Sequence, residues 1–252
     1  MSVILRSRHL SVVDLGRISY ADALSLQRIE HERVVAARAE GGPMTVFVLE
    51  HAPAVVTVTK RPLAASHVLA SDQLLAHHGI ERVETDRGGD VTYHGPGQLV
   101  VYPILDLERL GLRVHPYVRF LEQCIMDVLQ EDGIQGMRDA TATGVWVGER
   151  GQEHESRVRS EDRKIAAIGI RLSRFVSLHG FALNVAPDLA HFSLIVPCGL
   201  TRPVTSMQAE LGARTPSIEC VKSRVAAWFL REVEQRVTAT ARLRSDETAA
   251  QE

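Results

Sequence analysis

A glycine-rich segment, Arg87–Gln98, runs directly into an apolar stretch, Leu99–Leu105, and this junction constrains the fold more than any other feature. Five of the twelve residues in the segment are glycine or proline, whereas a simple turn needs only one or two. Glycine lets the backbone approach a ligand closely. The segment also supplies the polar side chains Arg87, Thr92, Tyr93, His94 and Gln98. The pattern predicts a binding loop that is held by a strand.

The composition is that of an ordinary globular protein. The chain has 252 residues, of which 45% are hydrophobic and 24% are charged. A net charge of −2 and 5% aromatic residues give no reason to expect a nucleic-acid partner. No run approaches the roughly 18 apolar residues of a membrane span, and the N-terminus lacks a signal-peptide core. We therefore expect a cytoplasmic protein with no membrane partner.

Periodicity and turn residues predict an α/β (α+β-like) fold, a mixed β-sheet flanked by helices, because strands and helices alternate without a regular βαβ order. The predicted strands are Val12–Leu15, Thr45–Leu49, Val55–Thr59, Arg82–Glu84 at an edge, Leu99–Leu105, Val145–Val147, Ile165–Leu172 and Val176–Val185. Four helices are predicted. The first runs from an N-cap at Ser19 to about Ala39, the second is short and capped by Ser71, and the last has about 20 residues and is capped by Ser217. The third is amphipathic, and its apolar face carries Tyr117, Phe120, Leu121, Cys124, Ile125 and Val128.

We expect one catalytic domain over residues 1–238, followed by a polar tail over residues 239–252 that is frayed at Arg244–Glu252. Glu149–Arg163 contains nine charged residues in fifteen, which predicts a mobile surface loop between strands.

Cys198 is the candidate nucleophile among three cysteines. It lies in a Pro197-Cys198-Gly199 turn, whereas Cys124 falls on an apolar helix face and Cys220 near a helix start. A buried, inert thiol is the common alternative for any cysteine. The odd number and wide spacing argue against a disulfide framework or a zinc site.

A nucleophilic thiol needs a cation or a base beside it. The residues that could serve are Lys164, His94, His179 and Arg87. Lys164 opens an otherwise apolar strand, where a solvated strand end is the alternative, and His179 interrupts a strand, where a structural histidine is the alternative. Acyl transfer needs a thiolate, a base and backbone that can host an oxyanion.

Four motifs together resemble the lipoyl(octanoyl) transferases, also called the lipoate-protein ligase B family. They are Arg87-Gly-Gly-x-x-Thr-Tyr-His-Gly-Pro-Gly-Gln98, Lys164-Ile-Ala-Ala-Ile-Gly169, His179-Gly-Phe-Ala-Leu-Asn-Val185 and Pro197-Cys-Gly199. They occur in the family's order, and the resemblance extends from about Val12 to Trp228. It implies the biotin/lipoate ligase catalytic-domain type of fold.

The resemblance implies a two-step reaction in which an octanoyl group passes from acyl carrier protein to Cys198 and then to a lysine of a lipoyl domain. Lys164 would lower the pKa of the thiol and move protons, with His179 in support. The implied acyl pocket consists of Arg87, Gly88, Gly89, Asp90, Val91, Thr92, Tyr93, His94, Ala167, Ile168, Gly169, Gly180, Phe181 and Ala182. The implied acceptors are the lipoyl domains of 2-oxoacid dehydrogenase complexes and the glycine cleavage H protein. No ATP, metal or other cofactor is implied.

Several other functions compete with this interpretation. An ATP-dependent lipoate or biotin ligase would share the fold but would need no cysteine. An amidotransferase would use an octanoylated protein as donor, and a non-catalytic acyl-binding protein would need neither the thiol nor the lysine. A papain-like peptidase is disfavoured because the residues around Cys198 lack that local signature. The carrier domains are acidic, so a weaker hypothesis makes docking contacts of four arginines: Arg163, Arg171, Arg174 and Arg202.

Overall fold

The computed structural model describes residues 2–139, 141–148, 162–196 and 202–249. The Pro197-Cys198-Gly199 turn and all but the last two residues of the charged segment Glu149–Arg163 lie outside the described residues. The prediction that this segment is a mobile loop therefore stays a prediction.

Eleven strands are described, in two sheets. In chain order they are β1 (Ser2–Arg6), β2 (Leu10–Ile18), β3 (Met44–His51), β4 (Ala54–Thr59), β5 (Ile80–Thr85), β6 (Val91–His94), β7 (Gln98–Ile104), β8 (Met137–Arg138), β9 (Val145–Val147), β10 (Arg163–Ser173) and β11 (Val176–Asn184). The large sheet has the order β1-β2-β3-β7-β11-β10-β9-β8, and the small sheet has the order β5-β4-β6. In the large sheet β2 and β3 run parallel to each other, and every other pair of neighbouring strands is antiparallel. The predicted mixed sheet is confirmed.

The helices are α1 (Tyr20–Ala36), α2 (Asp72–His77), α3 (Val114–Gln130), α4 (Met207–Leu211) and α5 (Ile218–Ala249). Three predicted N-caps are confirmed, because the hydroxyls of Ser19, Ser71 and Ser217 accept backbone N–H groups of the first turn at 3.1–3.2 Å. α1 covers β11 and β7, while α3 and α5 pack against each other and against the large sheet. Every residue of β3 and β7 is buried, so these two strands form the centre of the core. None of the helices in the described ranges is long and apolar enough to cross a membrane.

The chain passes twice between the two sheets, and this places the glycine-rich segment. β3 ends at His51 and β4 begins at Ala54, so the predicted turn joins strands of different sheets. The return passage runs from β6 through residues 95–97 into β7. The segment predicted as one loop thus contains a strand, β6, and connects the two sheets. A site built on it lies between them.

The structure differs from the sequence predictions in the length of one helix and in four elements that were not predicted, β1, β6, β8 and α4. α5 has 32 residues rather than about 20 and continues to Ala249, because alanine, arginine, leucine and glutamate after position 238 favour helix, and extending an existing helix is easier than nucleating a new one. β1 was not predicted, and it pairs with β2 along one edge of the large sheet.

Candidate active site

The first turn of the glycine-rich segment is fastened to both sheets. The backbone N–H of Gly88 donates to the carbonyl of Ile170 in β10 at 2.9 Å. The Arg87 guanidinium donates to the hydroxyl of Thr57 in β4 and to the carbonyls of Gly88 and Asp90, each at 2.9 Å. Arg87 therefore holds the loop in shape and ties it to the small sheet.

Two glycines allow this loop to contact β10 backbone to backbone. A Cβ at Gly88 would lie 2.9 Å from the Ile170 carbonyl oxygen, and a Cβ at Gly169 would lie 2.7 Å from the carbonyl oxygen of Gly88. Gly180 is similarly confined, since its Cβ would lie 2.2 Å from the carbonyl oxygen of Val101. These glycines serve close packing of main chains.

A narrow cleft lies between the two sheets, with a cavity volume of about 30 Å³. Its lining consists of Tyr20, Arg87, Thr92, His94, Tyr102, Ala167, Ile168, Gly169, His179, Gly180, Phe181 and Ala182. Ten of these twelve were named from the sequence; Tyr20 and Tyr102 were not. Two other predicted residues, Val91 and Tyr93, belong to the apolar core of the small sheet, because side chains alternate along β6.

A second cavity of about 350 Å³ adjoins the cleft and shares Ile168 and Gly169 with it. Its other lining residues are Arg61, Gly88, Gly89, Asp90, Val118, Thr141, Ala142, Thr143, Lys164 and Ile170. Lys164 thus lies in the polar cavity, and the predicted residues Gly88, Gly89 and Asp90 lie on that side too. The predicted site is divided into an apolar compartment and a polar one at Ile168–Gly169.

The Lys164 side chain is buried and held on two sides. Its Nζ donates to the Thr143 carbonyl at 3.2 Å and lies 4.6 Å from the centroid of the Trp146 ring. The Arg202 guanidinium carbon lies 3.9 Å from the same centroid, and Arg202 pairs with Asp139 at 2.6 Å. Trp146 is therefore a shared platform for two cations.

All four arginines of the docking hypothesis have a carboxylate partner. Arg163 pairs with Glu210, Arg171 with Asp86, Arg174 with Glu32 and Arg202 with Asp139. Their charges are compensated within the chain, which weakens them as docking contacts.

A chain of buried amides links the cleft to the backbone of the lysine. His94 Nδ1 donates to Gln98 Oε1 at 2.7 Å, Gln98 Nε2 donates to Asn184 Oδ1 at 2.9 Å, and Asn184 Nδ2 donates to the Thr205 carbonyl at 2.9 Å. The Thr205 N–H donates in turn to the Lys164 carbonyl at 3.0 Å. Residues from three predicted motifs are thus joined in one network.

The inner end of the cleft is an aromatic cluster that the sequence did not reveal. His51 Nδ1–H donates to the Ile18 carbonyl at 3.2 Å, and His51 Nε2 accepts from the Tyr102 hydroxyl at 2.7 Å. Burial lowers the pKa of His51 to about 4. Burial also lowers the pKa of His94 well below its usual value, and the nearby His51 adds to the effect. Both imidazoles are neutral at pH 7, so neither adds a charge to this end of the cleft.

His179 occupies an unusual backbone conformation in β11. Its φ is +58°, in the left-handed region that costs a non-glycine residue about 1–3 kcal/mol. Its N–H donates to Gln27 Oε1 and its Nε2 to Asp86 Oδ1, each at 2.8 Å. Burial lowers the pKa of His179 although Asp86 opposes the effect. These contacts fasten the residue before Arg87 to β11, which fits a supporting role.

Cys198 lies outside the described residues, so the structure does not place the candidate nucleophile. The described chain on either side is anchored: the Val196 N–H donates to the His67 carbonyl at 2.7 Å, and the Lys164 N–H donates to the Pro203 carbonyl at 2.9 Å. The other two cysteines are unpaired thiols, Cys124 buried and Cys220 exposed. Within the described ranges, no group of three or more His, Cys, Asp or Glu residues could hold a metal ion.

Comparison with known proteins gives consistent results. Residues 19–230 match the family model described as the lipoyl protein ligase A/B catalytic domain. The octanoyltransferase of Solibacter usitatus is 48% identical over 224 residues, covering 89% of this chain and 93% of the relative. The octanoyltransferase of Parabacteroides distasonis is 42% identical over 220 residues, covering 86% of this chain and 95% of the relative.

Two solved structures share the fold. A lipoate-protein ligase A bound with ATP superposes with a TM-score of 0.61 at 14% identity, covering 94% of this chain and 93% of the other. A putative lipoate protein ligase from T. acidophilum superposes with a TM-score of 0.60 at 14% identity, covering 96% and 95%. At this identity the likeness concerns the fold alone.

Proposed function

We propose a donor and an intermediate for this chain, which belongs to the lipoyl protein ligase A/B catalytic-domain family and is an acyltransferase that transfers octanoyl groups in protein lipoylation. The donor is octanoyl-acyl carrier protein, and Cys198 carries the octanoyl group as a thioester. The observation that supports this most is the division of the site. A narrow cleft with a mostly apolar surface, which we propose takes the alkyl chain, meets at Ile168–Gly169 a polar cavity that contains Lys164.

In the first step, the Cys198 thiolate attacks the carbonyl carbon of the donor thioester. The new C–S bond forms, the bond to the phosphopantetheine sulfur breaks, and the Lys164 ammonium gives a proton to that departing sulfur. In the second step, the amine of a lipoyl-domain lysine attacks the Cys198 thioester. Neutral Lys164 takes a proton from the attacking amine, and Cys198 leaves as the thiolate. Each step returns Lys164 to the state that the other step requires.

Covalent geometry supports Cys198 as a partner of this lysine. Pro203 is bonded to the Lys164 backbone, and five residues span at most about 18 Å. This limit is compatible with a contact between Cys198 and Lys164, and we propose that the two meet in the polar cavity. A cation at that place favours the thiolate over the thiol.

The exchange of one thioester for another is nearly isoenergetic, so we propose that the reaction needs neither ATP nor a metal. Chain selection comes from the apolar cleft, where each buried CH₂ contributes about 0.8 kcal/mol, or roughly a fourfold change in affinity. We propose lipoyl domains of 2-oxoacid dehydrogenase complexes and the glycine cleavage H protein as acceptors, and the cytoplasm as the location.

The main competing function is that of an ATP-dependent ligase. The lipoate-protein ligase A bound with ATP shares the fold of this chain but is only 14% identical to it in sequence. The experiment is to mix the protein, octanoyl-acyl carrier protein and a lipoyl domain without ATP. We expect amide-linked octanoyl on the lipoyl domain, measured by intact mass. A strict requirement for ATP would contradict the proposal. If octanoylated protein is accepted and the carrier-protein thioester is not, the enzyme is an amidotransferase instead.

A further inference from the structure

Two of the groups that hold the Lys164 ammonium come from the connection between β8 and β9 and from the strand that follows it. The Thr143 carbonyl, which accepts from Lys164 Nζ at 3.2 Å, belongs to the connection, and the Trp146 ring beside the same ammonium belongs to β9. The connection also lines the polar cavity through Thr141, Ala142 and Thr143. The position of the ammonium in the cavity therefore depends on what holds this connection.

Asp139 closes the connection from inside. Its side chain is buried, and its Oδ1 accepts the N–H of Thr141 at 2.7 Å and the hydroxyl of Thr141 at 2.8 Å. The Trp146 indole N–H donates to the Ala142 carbonyl at 3.1 Å. All three bonds are local, so they shape the connection without tying it to a distant part of the chain.

Arg202 supplies a contact from a distant part of the chain. Its Nη1 donates to Asp139 Oδ2 at 2.6 Å, and its guanidinium carbon lies 3.9 Å from the centroid of the Trp146 ring. The next residue is Pro203, whose carbonyl accepts the Lys164 N–H at 2.9 Å. The stretch that begins at Arg202 thus holds the backbone of Lys164 and, through the guanidinium, the connection that holds its ammonium.

Stability alone does not account for this ion pair. It is nearly closed to solvent, with side-chain exposures of 14% for Arg202 and 1% for Asp139. A buried ion pair is a poor source of stability, because desolvation offsets much of the attraction and apolar residues of similar volume are often as stable. It does fix geometry. A guanidinium donates to a carboxylate and stacks on an aromatic ring at the same time, whereas a lysine ammonium has no planar face.

We propose that Arg202 is a positioning residue for acyl transfer, which acts through Asp139 and Trp146 to keep the Thr143 carbonyl and the indole ring against the Lys164 ammonium. It acts on the proton-transfer steps and not on the binding of the donor. The inference rests on the proposed function, because it requires Lys164 to move protons. It gives Arg202 a role within the site rather than in docking, in keeping with its buried and compensated charge.

The test measures single-turnover acyl-enzyme formation from octanoyl-acyl carrier protein over a range of donor concentrations. Arg202→Met should lower the rate at saturating donor about tenfold, the change expected for one lost hydrogen bond of a charged group, and leave the half-saturating donor concentration unchanged. Arg202→Lys keeps a charged donor for Asp139 but has no planar face for the ring, so its rate should fall between the two. Asp139→Asn keeps one acceptor oxygen in place of two, enough for Thr141 but not for Arg202 as well, and should match Arg202→Met.

Arg224→Met is the matched control, because it also removes a paired arginine. Arg224 of α5 pairs with Asp132, just after α3, and neither residue lines the cleft or the polar cavity. This variant should leave both kinetic values unchanged. Urea unfolding verifies that every variant is folded under the assay conditions.

A Lys164→Ala background separates positioning from general damage to the site. If Arg202 acts through the lysine, adding Arg202→Met to Lys164→Ala should slow the reaction no further. An equal tenfold loss in both backgrounds would overturn the inference, as would an unchanged rate in Arg202→Met or a loss confined to the half-saturating concentration. These outcomes leave the proposed function standing. That function fails instead if the wild-type enzyme is not acylated by this donor, or if Lys164→Ala alone is acylated at the wild-type rate.

Discussion

The buried histidine His51 makes the stability of this protein depend on pH. In the folded state it is neutral, fully buried and bonded at both ring nitrogens, with a pKa of about 4. In the unfolded chain its pKa is about 6.5. At a pH between these two pKa values, His51 is protonated in the unfolded chain and neutral in the folded protein. Stability from His51 is therefore fully present above pH 6.5 and is lost as the pH falls towards 4.

The size of the effect follows from the shift. A difference of about 2.5 units at about 1.4 kcal/mol per unit gives a loss of about 3 kcal/mol of unfolding free energy between pH 7 and pH 4. Burial lowers the pKa of His94 and of His179 too, so they act in the same direction. The contribution of His51 has to be isolated by a variant.

His51→Gln is that variant, because a glutamine amide can still donate to the Ile18 carbonyl and accept from the Tyr102 hydroxyl. Urea unfolding of both proteins at several pH values should show their difference in unfolding free energy shifting by about 3 kcal/mol in favour of the variant from pH 7 to pH 4. His115→Gln, which removes an exposed imidazole of α3, is the control and should run parallel to the wild type. A difference between wild type and His51→Gln that does not vary with pH would refute the reasoning.

Three further changes test the construction of the site. Trp146→Leu should slow acyl-enzyme formation about tenfold in single turnover, because the ring face contributes about 0.5–2 kcal/mol to holding the proposed catalytic ammonium of Lys164. Trp146→Phe keeps an aromatic ring and should retain most of the rate. Equal rates for the two variants would argue against this role of the ring. Gly169→Ala places a Cβ 2.7 Å from the Gly88 carbonyl oxygen, so urea unfolding should show a loss of about 1–3 kcal/mol, and an unchanged midpoint would mean that the loop yields freely. Asn184→Leu leaves the Thr205 carbonyl unpaired and should cost about 1–3 kcal/mol in the same assay; a neutral effect would show that water replaces the amide.

The sequence predicted those features that depend on local chemistry. The serine caps at Ser19, Ser71 and Ser217 each bind their own first turn, and β-branched or apolar runs became strands. β6 was missed because a four-residue strand between glycines carries too few residues to show a period, and pairing with β4 stabilises it. Which sheet a strand joins is a long-range property that no local pattern contains.

The sequence predicted the motifs of the site but not the aromatic cluster at the inner end of the cleft. Lys164 and most of the cleft residues were identified because four motifs of the sequence resemble those of a known family, whereas the pattern of the residues alone left Lys164 and His179 with structural alternatives. Tyr20, His51 and Tyr102 were missed because each is an unremarkable residue of a helix or a strand until the sheets pack together. The ion pairs of Arg171 and Arg202 depend on the same packing, since their carboxylates are distant in the chain.

The central claim is that Cys198 carries the octanoyl group, and intact-mass analysis after incubation with octanoyl-acyl carrier protein tests it most directly. The account predicts one added octanoyl mass that hydroxylamine removes, that is absent in Cys198→Ser, and that forms much more slowly in Lys164→Ala. Cys220→Ser, which removes the exposed thiol of α5, is the matched control and should acquire the adduct as the wild type does. An octanoyl adduct that persists in Cys198→Ser would contradict the account.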